Sequence, residues 1–164
     1  MLKLITTELN ILQIKLDNKE AVGVKDSIDK IASQTKSITV DNNNISSEKE
    51  SQEVKDAQKT LDSAKNTITK LVLTANSLES SFETIERYKA ELEETDDLED
   101  KKEIQASITK IEKEVMQLWD DMSKDFVILE SIMSKLQTVN NRLVPIKKSE
   151  QTAKVSALAG MNLI

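Results

Sequence analysis

The stretch "VKDAQKTLDSAKNTITKLVLTANSLESSFETIERYKAEL", Val54 to Leu92, decides the fold. Val54, Ala57, Leu61, Ala64, Ile68, Leu71, Ala75, Leu78, Phe82, Ile85, Lys89 and Leu92 follow one another at alternating spacings of three and four residues, and only Lys89 is not apolar. That is one heptad register held without slip, the pattern of a single long helix with a narrow apolar seam.

A second run extends the pattern through Ile104, Ile108, Ile111, Val115, Leu118, Met122, Asp125, Leu129, Ile132, Leu136, Val139, Leu143 and Ile146, broken only at Asp125. Pro145 sets the far limit of this helix, because proline cannot continue the hydrogen-bond ladder. Between the runs, "EETDDLEDKK" (Glu93–Lys102) is polar and has room only for a reversal. Two long helices joined by a short connection become antiparallel neighbours, so the expectation is a hairpin of residues 48–92 and 102–144. Ser47 followed by Glu50 fits a capping box at the start of the first arm.

The remaining sequence is assigned around this hairpin. "SITVDNNNISSEKE" reads as a loop, since Asn and Ser side chains compete with helical backbone bonding. Upstream, Leu2, Ile5, Leu9, Leu12 and Leu16 open another heptad, and Ile28, Ile31 and Ile38 resume it after an interruption near "NKEAVG". The fold class is therefore all-α, an elongated antiparallel coiled-coil bundle of about three long helices. Residues 1–146 form one domain, and 147–164 are a tail that is either flexible or docking.

Two apolar stripes exceed what a single seam needs. Leu4, Ile11 and Ile14 add a second stripe to the first helix, which predicts burial on two sides, wedged between the hairpin helices. The alternative is a segment that docks on a partner or on a membrane surface. Trp119, Phe126 and Met133, one residue beyond seam positions and seven apart, form a matching stripe on the last helix; they mark where a third element packs. Leu4, Ile11, Ile14, Trp119, Phe126 and Met133 are thus the candidate partner-binding residues. Asp125 reads either as a residue that sits near the bundle surface or pairs with Lys89, or as a weak point where helices separate.

Composition excludes much chemistry. The chain of 164 residues has no His and no Cys, two Gly, and a formal net charge of −6. Imidazole acid–base catalysis, thiolate nucleophiles, disulfides and Cys/His metal sites are ruled out together, and so are Gly-rich phosphate loops. Asp96, Asp97, Glu99 and Asp100 lack the ligand order and central Gly of a calcium loop, so they read as a solvated charge run. The expectation is a non-enzyme with no cofactor, no metal and no small-molecule substrate. No basic cluster suits nucleic acid. No segment reaches the roughly 20 apolar residues of a membrane span, and no signal peptide is legible, which leaves a cytoplasmic location or export by another route. Glu86–Glu103 holds nine acids and four bases, a net of −5, whereas Arg142 onward carries +3, so the rod has a longitudinal charge asymmetry.

The stretch "IEKEVMQLWDDMSKDFVILESIMSKL", Ile111 to Leu136, with its single Trp followed by spaced aliphatics, resembles the late helices of α-helical pore-forming toxins of the xenorhabdolysin and haemolysin BL types. The resemblance spans residues 50–146. It implies a component of such a system, and the acidic 93–102 tip and the lack of a long apolar insertion imply a reduced or accessory one. Three functions follow as expectations: a helical interaction partner in a toxin system, a small acidic chaperone for a secreted helical protein, or a structural rod. In each the partner is another helical protein or a second copy of the chain.

Overall fold

The computed structural model describes residues 2–146; the tail expected at 147–164 lies outside the described residues. Four helices carry the fold: α1 (Leu2–Asp17), α2 (Val24–Lys36), α3 (Glu48–Glu94) and α4 (Leu98–Thr138). The α3–α4 hairpin forms as its heptads require, with helices of 47 and 41 residues, about 70 and 60 Å long at 1.5 Å per residue. Capping fixes the ends of the reversal. The Thr95 N–H donates to the Leu92 carbonyl, and the Asp97 carboxylate accepts from the Glu99 and Asp100 N–H groups at 2.8 and 3.4 Å. Asp97 therefore satisfies orphan donors at the start of α4.

The interruption in the N-terminal heptad is a complete reversal, so the single broken helix expected there becomes two antiparallel helices. Gly23 adopts φ +82°, and a Cβ there would meet the Lys15 side chain at 3.1 Å. Lys15 donates from Nζ to the Val22 carbonyl at 2.9 Å and lies 3.8 Å from Glu20, which closes the turn. From the turn, α2 runs back along α3, with Lys25 3.4 Å from Glu79. Each helix packs on two neighbours, in the cyclic order α1, α2, α3, α4. The lower part of the molecule is thus an up-down-up-down four-helix bundle.

Two short strands close its base. β1 (Ile38–Val40) pairs antiparallel with β2 (Leu143–Pro145), Thr39 opposite Val144. This overturns two expectations: part of the Asn/Ser-rich stretch is a strand, and α4 ends at Thr138, followed by a 3-10 turn at Asn140–Arg142. Leu143 leaves the helical register because its backbone bonds are made with the chain just after α2. Ile38 and Leu143 are both buried, plugging the bundle core. Beside them Arg142 reaches Glu50 and Glu53 at 3.6 and 3.7 Å. Ser47 caps α3 by accepting from the Glu50 N–H at 3.1 Å, and the Glu50 carboxylate accepts from the Ser46 N–H and hydroxyl, each at 3.1 Å.

Above the α1–α2 turn only α3 and α4 continue, as a two-helix arm rising roughly 20 Å to the 95–97 reversal. The sequence of α4 changes at that step. In the arm, Ile104, Ile108 and Val115 are buried with Ile111 half-buried, and Gln105 and Glu112 face solvent. In the bundle the buried set is Val115, Trp119, Met122, Phe126, Leu129, Met133 and Leu136, whereas Leu118, Asp125 and Ile132 are half-exposed. The apolar face rotates by one residue where α1 and α2 begin to cover it. The heptad drawn through Leu118, Asp125 and Ile132 is therefore an edge of the packed face.

That rotation explains the aspartate. Asp125 shares an open groove with Lys70, Leu73 and Thr74, on the level set by the hairpin register. Lys89 lies 19 residues from Lys70 along α3, roughly 28 Å away; its ion pair is with Glu86, at 3.9 Å. Of the two readings, the Asp125–Lys89 pair does not form, and Asp125 sits half-exposed at the bundle surface.

Candidate functional site

The inner face of α1 is built from Ile5, Leu9, Leu12 and Leu16, all buried in the bundle core. Burying each such side chain contributes about 1.5–3 kcal/mol, ample reason for α1 to dock. On a 3.6-residue helix Leu4, Thr7, Ile11 and Ile14 fall on the far side. Leu4 is 62% exposed, Ile11 39% and Ile14 59%. This corrects the expectation that residues 1–16 are buried on two sides: the neighbours of α1 are α2 and α4, and neither reaches its outer face.

The four outer positions are not scattered. Their spacings of three, four and three residues make a second heptad seam. Thr7 belongs to it because its hydroxyl donates to the Lys3 carbonyl at 3.1 Å, a bond internal to the helix. Polar residues separate the two seams on both sides: Lys3, Thr6 and Asn10 on one, Glu8 and Lys15 on the other. Single exposed apolar side chains are ordinary on protein surfaces, but a register of them along one helix is the form that helix-docking surfaces take.

Trp119, Phe126 and Met133 have the opposite placement. Trp119 is 4% exposed, and all three belong to the core that also contains the inner seam of α1. The hairpin register puts Ala75 about level with Trp119, so a small residue on α3 faces the level of the largest on α4. Their predicted packing role is met within the chain, and they present no surface to an outside partner. Of the six candidate partner-binding residues, Leu4, Ile11 and Ile14 form an accessible group and the other three form a separate, buried one.

A smaller apolar surface that sequence reasoning missed lies at the step between bundle and arm. Ala21 and Val22 of the α1–α2 turn meet Leu78 and Phe82, rimmed by Glu79, Glu83 and Glu86, around an open volume of about 460 Å³. Only the long-range docking of the turn onto α3 creates it, so no local pattern could announce it.

Electrostatic perturbation is confined to the surface. The hydrogen bonds from Ser46, with a lesser effect from Arg142, hold the Glu50 carboxyl below its ordinary value. Asp120, 3.1 Å away, raises Lys124. Neither group lines a cavity suited to catalysis. Among the described residues, no group of three or more acidic, His or Cys side chains is placed to hold a metal ion, and no helix is long and apolar enough to cross a membrane. No family model, curated protein or solved structure matches this chain.

Proposed function

We propose that this chain is a non-enzymatic helical interaction module that takes up a further helix, from outside its own bundle, on the outer seam of α1. The observation that carries the reading is the double seam of α1. One apolar heptad anchors it to its own bundle, and a second, insulated from the first by polar residues, points outward at coiled-coil spacing. Leu98, Met116, Val127 and Ile128 of α4 are also exposed, but they are 18, 11 and 1 residues apart, whereas Leu4, Ile11 and Ile14 follow one heptad register.

Within the toxin systems that α4 resembles, this role matches an accessory component that engages helices of its partners. Docking on protein is favoured over lipid because the outer stripe is narrow, two heptads long, and includes Thr7. A membrane-lying helix gains affinity from a broad apolar face with basic flanks. The test is flotation of the purified chain with vesicles of phosphatidylcholine and phosphatidylglycerol, with dye release recorded in the same samples. The chain is expected to remain unbound and the vesicles intact. Flotation that is lost in Leu4→Lys/Ile11→Lys/Ile14→Lys would make the stripe a membrane-contacting face and overturn the reading.

A further inference from the structure

The outer seam of α1 has flanking residues that specify what it fits. With Leu4 and Ile11 at the first core position of the heptad, Thr7 and Ile14 fall at the second, and the next first-position residue is Asn18. Asn18 follows the last residue of α1; its N–H donates to the Ile14 carbonyl at 3.1 Å and the chain turns away at Lys19, φ +50°, so Asn18 is the terminal position of the seam. A lone asparagine at that heptad position favours an in-register, parallel, two-stranded coiled coil, because its amide finds its counterpart only there. Lys3 and Asn10 border the seam on one side, Glu8 and Lys15 on the other.

We propose that a second copy of this chain occupies the outer seam, with the two α1 helices side by side and parallel. The proposal rests on the seam being a protein-docking face and adds the identity of the partner. In the parallel pairing each flanking residue meets the residue five positions on in the other strand. Lys3 then faces Glu8 of the second copy, twice by symmetry, while Lys15 stays engaged with Val22 and Glu20 in its own turn. Neither Lys3 nor Glu8 makes an ion pair within the described residues. An antiparallel pairing that matches Leu4 with Ile14 instead sets Glu8 against Glu8 and carries Asn18 past the end of the other helix.

The two-fold arrangement places the bundles back to back and both acidic arms at one end. With helices spaced about 8–10 Å apart, the arms stand on the order of 30 Å from each other. That exceeds the Debye length of about 8 Å at physiological salt, so their like charges are screened. Two heptads bury less than the roughly 1,600 Å² of a standard interface, so the dimer is a reversible one whose population rises with concentration.

Sedimentation velocity of the full chain across micromolar to submillimolar concentrations tests this. The wild type is expected to pass from monomer to dimer, and Ile11→Lys to remain monomeric with an unchanged circular-dichroism spectrum. Lys3→Glu and Glu8→Lys should each weaken the dimer severalfold, and the double exchange Lys3→Glu/Glu8→Lys should restore it. Because the chain has no cysteine, Asn18→Cys reports orientation, and rapid disulfide cross-linking is expected only in the parallel pairing. A monomeric wild type would overturn the homodimer and leave the vesicle result, which tests the docking face itself, standing. A dimer indifferent to Ile11→Lys would place the interface elsewhere. A dimer that Ile11→Lys breaks but Asn18→Cys does not cross-link would overturn the parallel arrangement.

Discussion

Helices α1 and α4 each have a second apolar stripe with seven-residue recurrence, and the two stripes meet opposite fates. On α4, Trp119, Phe126 and Met133 adjoin Met122 and Leu129 without an intervening polar row, and the combined face is buried against the rest of the bundle. On α1, Leu4, Ile11 and Ile14 stand across the helix from Ile5, Leu9 and Leu12, with polar rows on both sides, and they remain open to solvent. A broad continuous face is one interface, whereas two insulated faces are two interfaces. The bundle supplies partners for the first kind and leaves the second open to solvent.

The largest effect is expected at Trp119. Trp119→Ala removes the largest side chain of the core and should destabilise the chain by about 3–5 kcal/mol in denaturant unfolding. A loss near zero would mean that the α4 stripe is not covered in solution. The inner seam of α1 comes next: Leu12 is fully buried, and Leu12→Ala should cost about 3 kcal/mol by the same measurement.

The outer seam should behave differently. Leu4→Ala or Ile14→Ala should change monomer stability by no more than about 0.5 kcal/mol, as for surface substitutions, while weakening association. The smallest effect concerns the base of α3. The folded state holds the Glu50 carboxyl below its ordinary value, so the stability this contributes is present at neutral pH and is lost as pH falls through the lowered folded value. Glu50→Gln should therefore flatten the acid limb of the melting temperature against pH by slightly lowering the neutral plateau, with the acid end level with the wild type.

The two long helices and their reversal were legible, though not where α4 ends or which of its rows is packed, because the information is local and periodic: eleven apolar positions in one register need no knowledge of the rest of the chain. The Trp119, Phe126 and Met133 stripe was legible as a packing surface for the same reason. Whether Leu4, Ile11 and Ile14 are covered was not, since periodicity counts faces and cannot count neighbours. The β1–β2 ribbon was invisible because it joins Ile38 to Pro145, and three-residue strands have too little pattern to outweigh Asn- and Ser-rich surroundings. The rotation of the packed face on α4 was written in Glu112 and Gln105 against Trp119 and Phe126, but it reads as a change of partners only once α1 and α2 are seen to stop at that level.

Two consecutive residues give the most direct test, because Ile11 belongs to the outer seam and Leu12 to the inner one. The denaturant midpoints of Ile11→Lys and Leu12→Lys would be measured at protein concentrations below the association range. The double-seam account predicts that Ile11→Lys unfolds with the wild type and that Leu12→Lys unfolds at far lower denaturant or does not fold. A midpoint for Ile11→Lys that falls together with that of Leu12→Lys would show α1 buried on both faces and would contradict the account.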